Sequence, residues 1–315
     1  MFVTAAIVIQ DRWVELQQMR YVIAVAEEKN FTRAAERCLV VQSALSHQIA
    51  RLERELGAKL FDRTSRRVEL TPAGEAFLPE ARQSVEAAER ARAEVTAAAG
   101  EIRGRLAIGA IPTVGAIDLA ASLKDFRARH PQVQISLRMG ASGDLVDQVR
   151  LGSLDVAFLG LRPETPPTGV CGVELARGEL VVLVPASHPL ADERAVDLNR
   201  LADEVFVDFP AGSGGRAQSD EAFAAAGVRR RVAFEVMAVD FIARLIRQGL
   251  CIGLLPASIV SEFPDLRVVE LVDPPTRVEH LVWGRLRPTP AAAAYLSGLG
   301  VADEQLLSPP RRRDG

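Results

Sequence analysis

Residues 31–56 read FTRAAERCLVVQSALSHQIARLEREL, and their periodicity decides how the rest of the chain is read. Leu45, Ile49, Leu52 and Leu56 recur at offsets of four, three and four, which places them on one helical stripe facing a core. The opposite stripe carries Ser43, Ser46, His47, Ala50 and Arg54. Such side chains suit a reading face: short donors and acceptors near the helix start for base edges, and a cation farther on for phosphate. Upstream, Thr32 is read as the cap of a first helix, and Ala34 and Ala35 are small enough for two helices to cross closely. The pattern predicts two short helices joined by a tight turn, the second shaped to lie in a DNA groove. For the periodicity alone, a plain helical hairpin in some larger core is the simpler reading, and the next residues shift the balance.

Those residues, 57–74, are GAKLFDRTSRRVELTPAG. Gly57 can end the helix, Leu60 and Phe61 are apolar anchors, and Arg63, Arg66 and Arg67 crowd a short hairpin-like loop that reads as a wing. Between Lys29 and Arg67 there are nine bases against four acids, although the whole chain has a net charge of −3. A charge run is commonly just a solvated face. A local basic excess on an acidic chain, beside a two-helix motif, is the footprint expected of a phosphate-binding module.

Residues 14–74, and more loosely the chain to about residue 298, resemble the LysR-type transcriptional regulators. The resemblance is carried by FTRAAER, by VxQxALSxQIxxLExELG, by LFDRTSRRVELTPAGEAFL and by the later RLAIGAIPTVG. It implies double-stranded DNA with a pseudo-palindromic operator as partner, and a homodimer or homotetramer, with RNA polymerase as a further candidate partner. Gln42, Ser43, Ser46 and His47 would face the operator. Arg63, Arg66 and Arg67 would grip phosphate or minor groove, together with Thr32, Arg33, Arg51 and Arg54. The chain departs from the family at four places: Val41 replaces the usual Ser or Thr, Ser43 the usual Pro, Cys38 the usual Leu, and His47 a frequent Arg. A missing hydroxyl at 41 removes a cap typically worth about 1 kcal/mol, a role Ser43 would partly take by shifting the helix start. His47 makes its contact weaker and sensitive to pH.

The length of 315 residues suggests two or three domains, and 48% hydrophobic with 25% charged residues is ordinary for a soluble chain. Cys38, Cys171 and Cys251 are scattered, odd in number and without a CxxC pair, which fits a reducing cytoplasm and buried packing roles better than disulfides. The apolar run at residues 5–9 is too short to span a membrane, and residues 1–13 lack a signal-peptide pattern. They are read as a disordered extension or an over-long start.

The expected organisation is α+β and multidomain: a winged helix-turn-helix over 14–71, a linker and dimerisation helix over 72–100, an effector-binding α/β domain over 101–300, and a disordered tail over 301–315. TPAG at 71–74 supplies a cap and a first-turn proline. Phe77, Leu78, Ala81, Val85, Ala88 and Val95 then make an apolar face that self-association would bury; a solvated alanine-rich linker is the plain alternative. From Arg105 strand and helix patterns alternate, which implies parallel sheets with helices on both faces. The resemblance implies two Rossmann-like subdomains of periplasmic-binding-protein type II, about 103–165 with 275–300 and about 170–272, joined near 162–172 and 273–278.

Ligands collect at the carboxyl ends of such strands, where helix N-termini offer free N–H groups. Thr113, Ser142 and Ser213 are the candidate effector-binding hydroxyls, Pro210 opens the PAGSGG turn, and Leu159, Gly160, Met237 and Phe241 shape the cleft. Each hydroxyl could instead simply cap its own helix. No HxxH, HExxH, P-loop or dinucleotide fingerprint occurs, so no catalytic residue, metal site or cofactor is expected. A ligand-responsive DNA-binding regulator therefore leads, ahead of an α/β enzyme with an accessory helical domain and a solute-binding protein.

Overall fold

Leu16–Glu28 (α1), Phe31–Arg37 (α2) and Gln42–Leu56 (α3) open the computed structural model, which describes residues 14–63, 67–98 and 101–307. They enclose one core: Val22 and Val25 from α1, Ala34 and Ala35 from α2, and Leu45, Ile49 and Leu52 from α3, closed by Leu60 and Phe61. The two alanines keep α2 thin enough to lie against both neighbours. Leu56 does not join this core; it is 40% exposed in the last turn of α3. The buried face of α1 carries one polar residue. Gln18, Tyr21, Val22, Ala24 and Val25 are buried and Leu16 is exposed; the Gln18 side chain turns back to accept from Glu15 N (3.0 Å) in a capping box.

Both expected helix starts need correction. Asn30, not Thr32, caps α2, its Oδ1 accepting from Thr32 N (2.9 Å) and Arg33 N (3.0 Å). At α3 the N-cap is Val41, in extended backbone and with no side-chain bond to offer; Ser43 lies inside the helix and shifts nothing. Phe61–Arg63 (β1) and Val68–Leu70 (β2) form the antiparallel pair of the wing. Arg66 and the side chain of Arg63 lie outside the described residues. Glu53 fixes the wing to α3, its Oε1 accepting from Leu60 N (2.9 Å) and Phe61 N (3.2 Å).

Pro72–Ala98 (α4) follows, begun by Thr71, whose Oγ1 accepts from Gly74 N (3.0 Å) and donates to Lys59 O (2.6 Å). A Cβ on Gly74 would lie 2.1 Å from Leu60 O, so only glycine lets helix and wing approach this closely. The chain divides within α4 into two compact units, one ending at Arg92 and one beginning at Ala93. In the first, Arg82 pairs with Glu27 (3.0 Å) and Arg20 with Glu89 (3.5 Å).

The second unit runs Gly104–Ala110 (β3), Leu119–Arg129 (α5), Val133–Met139 (β4), Ser142–Arg150 (α6), Val156–Leu161 (β5), Cys171–Val184 (β6), Ala195–Val196 (β7), Val205–Asp208 (β8), Gly214–Ala225 (α7), Arg231–Glu235 (β9), Val239–Arg247 (α8), Ile252–Pro256 (β10), Arg267–Leu271 (β11), Thr276–Trp283 (β12), Pro290–Gly298 (α9) and Asp303–Leu307 (α10). The strand order is β4-β3-β5-β12-β6-β10-β8-β9. Parallel pairing joins β3 to β4 and β5, and β8 to β9 and β10. The central pairs of β12 with β5 and β6, and of β6 with β10 and β11, are antiparallel, so each half is a mixed sheet rather than a parallel one. Buried apolar clusters flank both halves, as two α/β subdomains require.

The crossing between subdomains also differs from expectation. It occurs inside β6, whose residues 171–179 pair with β12 in the first subdomain while 180–183 pair with β10 and 182–184 with β11 in the second. The return is clasped beside it, where Leu180 N donates to Pro275 O (3.1 Å). Residues 301–307 are not a loose tail: Val301 is buried in the core against α9, and α10 follows. The expectations for 1–13 and 308–315 fall outside the described residues.

Candidate functional site

In the first unit the exposed face of α3 carries the candidate reading residues. Among the described residues the Gln42, Ser43 and His47 side chains are exposed and make no hydrogen bond, while Ser46 is half-buried. The basic residues around them are less available than their number suggests. Arg33 pairs with Glu28 (3.5 Å), Arg37 with Glu27 (2.6 Å), Arg51 with Glu55 (2.8 Å) and Glu15 (3.4 Å), and Arg67 with Glu69 (3.5 Å). Four of these five acids, Glu15, Glu27, Glu28 and Glu69, lie outside the window of residues 29–67, so the local basic excess is partly neutralised by the fold. Exposed pairs of this kind contribute only about 0–1 kcal/mol each, and a phosphate can displace the carboxylate at little cost. Arg54 has no ion pair among the described residues; its Nε donates to Ala50 O (3.3 Å). Thr32 is exposed on α2.

The apolar face expected of α4 is only partly open. Ala81 is fully buried within the single chain and Phe77 packs on the core of the first unit. Leu78, Val85 and Ala88 are half-buried, and Val95 is 75% exposed.

In the second unit the loops after β3 and β4 and the end of β5 meet the start of α7 around a small cavity of about 30 Å³. At roughly 10–15 Å³ for each water it holds only two or three. Of the candidate effector residues, Thr113, Ser142, Gly160, Ser213 and Met237 line it; Leu159, Pro210 and Phe241 do not. Leu159 is fully buried in the core on the α6 side, and Phe241 is exposed with Arg244 over its ring. All three hydroxyls are already engaged, Thr113 Oγ1 by accepting from Arg277 Nη2 (2.6 Å). Ser142 Oγ donates to Gly160 O (3.1 Å) and accepts from Gly160 N (3.2 Å), and Ser213 Oγ caps α7 by accepting from Arg216 N (3.4 Å).

The residue that gives the cavity its chemistry was not anticipated. Arg277, on β12, lines it with only 4% exposure. Its Nη2 donates to Thr113 Oγ1 (2.6 Å), its Nε has no partner, and among the described residues no carboxylate lies within 4.0 Å of it. Burial pushes its pKa down to about 10, opposed by the Glu279 charge farther off, so it stays cationic at neutral pH. A Cβ on Gly160 would strike its Nη2 at 2.0 Å: glycine there makes room for the guanidinium. The N-termini of α6 and α7 converge on the same cavity, with the position of a Gly214 Cβ 3.8 Å from Ser142 Oγ. Two helix N-termini and a buried guanidinium with an unpartnered Nε give the cavity a positive potential.

Among the described residues no cluster of His, Cys, Asp or Glu could hold a metal ion, and no helix is long and apolar enough to cross a membrane. Burial raises the Cys171 thiol and pushes Cys251 up to about 11.

A winged helix-turn-helix head in one unit and a two-subdomain cleft in the other define a ligand-responsive DNA-binding regulator. Residues 16–75 match the family described as bacterial regulatory helix-turn-helix protein, lysR family, and residues 99–299 match the LysR substrate binding domain. The chain belongs to the LysR family of transcriptional regulators. It is 41% identical over 225 residues to the HTH-type transcriptional regulator ShiR of Corynebacterium glutamicum (strain R), covering 70% of this chain and 76% of that protein. It is 33% identical over 276 residues to the transcriptional dual regulator GltC of Bacillus subtilis (strain 168), covering 84% and 92%. Its fold matches full-length CbnR complexed with target DNA at a TM-score of 0.62 and 27% identity, over 91% of this chain and 99% of that one. These relatives are regulators, and this chain is a DNA-binding regulator with an effector-binding domain rather than an enzyme.

Proposed function

We propose that this regulator works in the cytoplasm and responds to a small anion, a carboxylate or an oxyanion, seated on Arg277 and Thr113 between the α6 and α7 N-termini. The observation that carries the reading is the buried guanidinium with a bare Nε and no carboxylate beside it. An isolated buried charge costs several kcal/mol, and an anion in the cavity relieves that cost. The cavity is lined by residues of both subdomains, so a ligand seated there touches both, which gives occupancy a structural consequence. The effector acts without a resident cofactor. On the other unit, Gln42, Ser43, Ser46 and His47 read bases, and Arg33, Arg51, Arg54 and Arg67 exchange their present partners for phosphate. Leu78, Val85, Ala88 and Val95 remain for pairing α4 with its copy in a dimer or tetramer.

The test is thermal unfolding of the full chain against a panel of small carboxylates, amino acids and inorganic anions. A ligand at about a hundred times its dissociation constant adds roughly 2.7 kcal/mol. Arg277→Met is expected to abolish the shift; a shift that survives it contradicts this placement. A gel shift on DNA upstream of the gene is expected to show site-preferring binding that weakens steeply with salt.

A further inference from the structure

Two residues beyond Arg277, on the same face of β12, Glu279 is 5% exposed and holds three donors. Gly115 N and Ala116 N each donate to its Oε2 at 3.0 Å, and Ser258 Oγ donates to its Oε1 at 3.2 Å. These donors belong to different subdomains. Gly115 and Ala116 lie in the loop after β3, whereas Ser258 lies in the 3-10 turn Ala257–Glu262, which follows β10 and packs into the second subdomain through Ile259. The approach is close: a Cβ on Gly115 would lie 2.3 Å from Ser258 Oγ and 2.5 Å from Ser258 Cβ. Arg277 grips the same loop two residues earlier, at Thr113. One strand therefore holds residues 113–116 at two points, and the second grip reaches across the cleft.

We propose that Glu279 is a positioning residue that transmits anion occupancy at Arg277 to the second subdomain. The proposal rests on the anion reading of the cleft. An anion that draws Arg277 or Thr113 toward itself moves the loop. Gly115 and Ala116 share their acceptor with Ser258, so the turn 257–262 moves with them. A carboxylate suits this task because it accepts several hydrogen bonds at once and donates none; it serves both subdomains without competing with either. An acid present only to brace the loop would need no bond to Ser258.

The experiment is hydrogen exchange of the full chain, with inorganic sulfate as probe at constant ionic strength, read in peptides covering 112–117 and 257–262. In the wild type, sulfate is expected to slow exchange in both. Arg277→Met removes the response from both. Glu279→Gln keeps the response at 112–117, loses it at 257–262, and raises basal exchange at 257–262 about tenfold. Ser258→Ala, which leaves the loop's bonds to Glu279 in place, reproduces the loss at 257–262 alone and covers the case in which Glu279→Gln does not fold. A sulfate response at 257–262 that persists in Glu279→Gln or Ser258→Ala overturns the proposal and leaves the anion reading standing. If the wild type ignores sulfate, basal exchange decides: unchanged protection at 257–262 in both variants overturns the clasp, while a tenfold rise upholds it and the failure falls on the anion reading.

Discussion

The reading head and the ligand cleft use arginine in opposite ways. On the head, Arg33, Arg51 and Arg67 are exposed and already paired with carboxylates; they cost almost nothing to hold and can change partner freely. In the cleft, Arg277 is buried, supported by one hydroxyl and left with a bare Nε. The first arrangement suits sequence-independent attraction to phosphate, where many weak and replaceable contacts act together. The second leaves a buried charge without a counter-charge beside it, and on the function proposed here an anion in the cavity relieves that deficit. Solvation, rather than residue type, separates the two roles.

Two glycines offer the sharpest ways to break this contrast. Gly74→Ala sets a Cβ against the Leu60 carbonyl at 2.1 Å, where backbone cannot give. Overpacking of this kind typically costs about 1–3 kcal/mol, so the midpoint of the first unit is expected to fall and DNA binding with it, while the cleft still binds its ligand. Gly160→Ala meets the end of a flexible side chain instead. The Arg277 guanidinium is expected to swing aside, weakening anion binding at least tenfold in calorimetry while operator binding in gel shift stays as it was. Val41→Ser supplies the missing cap of α3 and is expected to stabilise the head by about 1 kcal/mol in chemical denaturation; no gain would mean that the first-turn N–H groups are already satisfied. Arg51→Ala is expected to change stability by less than about 1 kcal/mol and to lower the salt slope of DNA binding by about one. A larger loss of stability would place Arg51 with Arg277 rather than with the surface cations.

The head was legible because its information is local. Leu45, Ile49 and Leu52 sit three and four residues apart, and the helix follows from that spacing. What the sequence concealed there was long-range satisfaction: Glu53 accepting the wing amides, and Glu15, Glu27, Glu28 and Glu69 neutralising bases counted as free. In the cleft the hydroxyls and glycines at strand ends were visible, but Arg277 and its partner Thr113 are 164 residues apart. One local signal was available. In TRVEHLVW, Arg277 and Glu279 fall in phase with Leu281 and Trp283, which are buried in the core, and two charges at inward positions of a strand call for buried partners. The crossing inside β6 was missed because its first half, CGVELARGE, lacks the apolar run that marks LVVLV.

The most direct test of the account is the thermal unfolding of Arg277→Met beside the wild type in anion-free buffer. If the guanidinium is held without a counter-charge until a ligand arrives, its replacement by an apolar side chain is neutral or stabilising by about 1–4 kcal/mol, and the variant melts at or above the wild type while failing to respond to any anion. A variant that melts lower, by the equivalent of about 3–5 kcal/mol, would show that Arg277 belongs to a satisfied structural network and that the cleft does not wait for an anion.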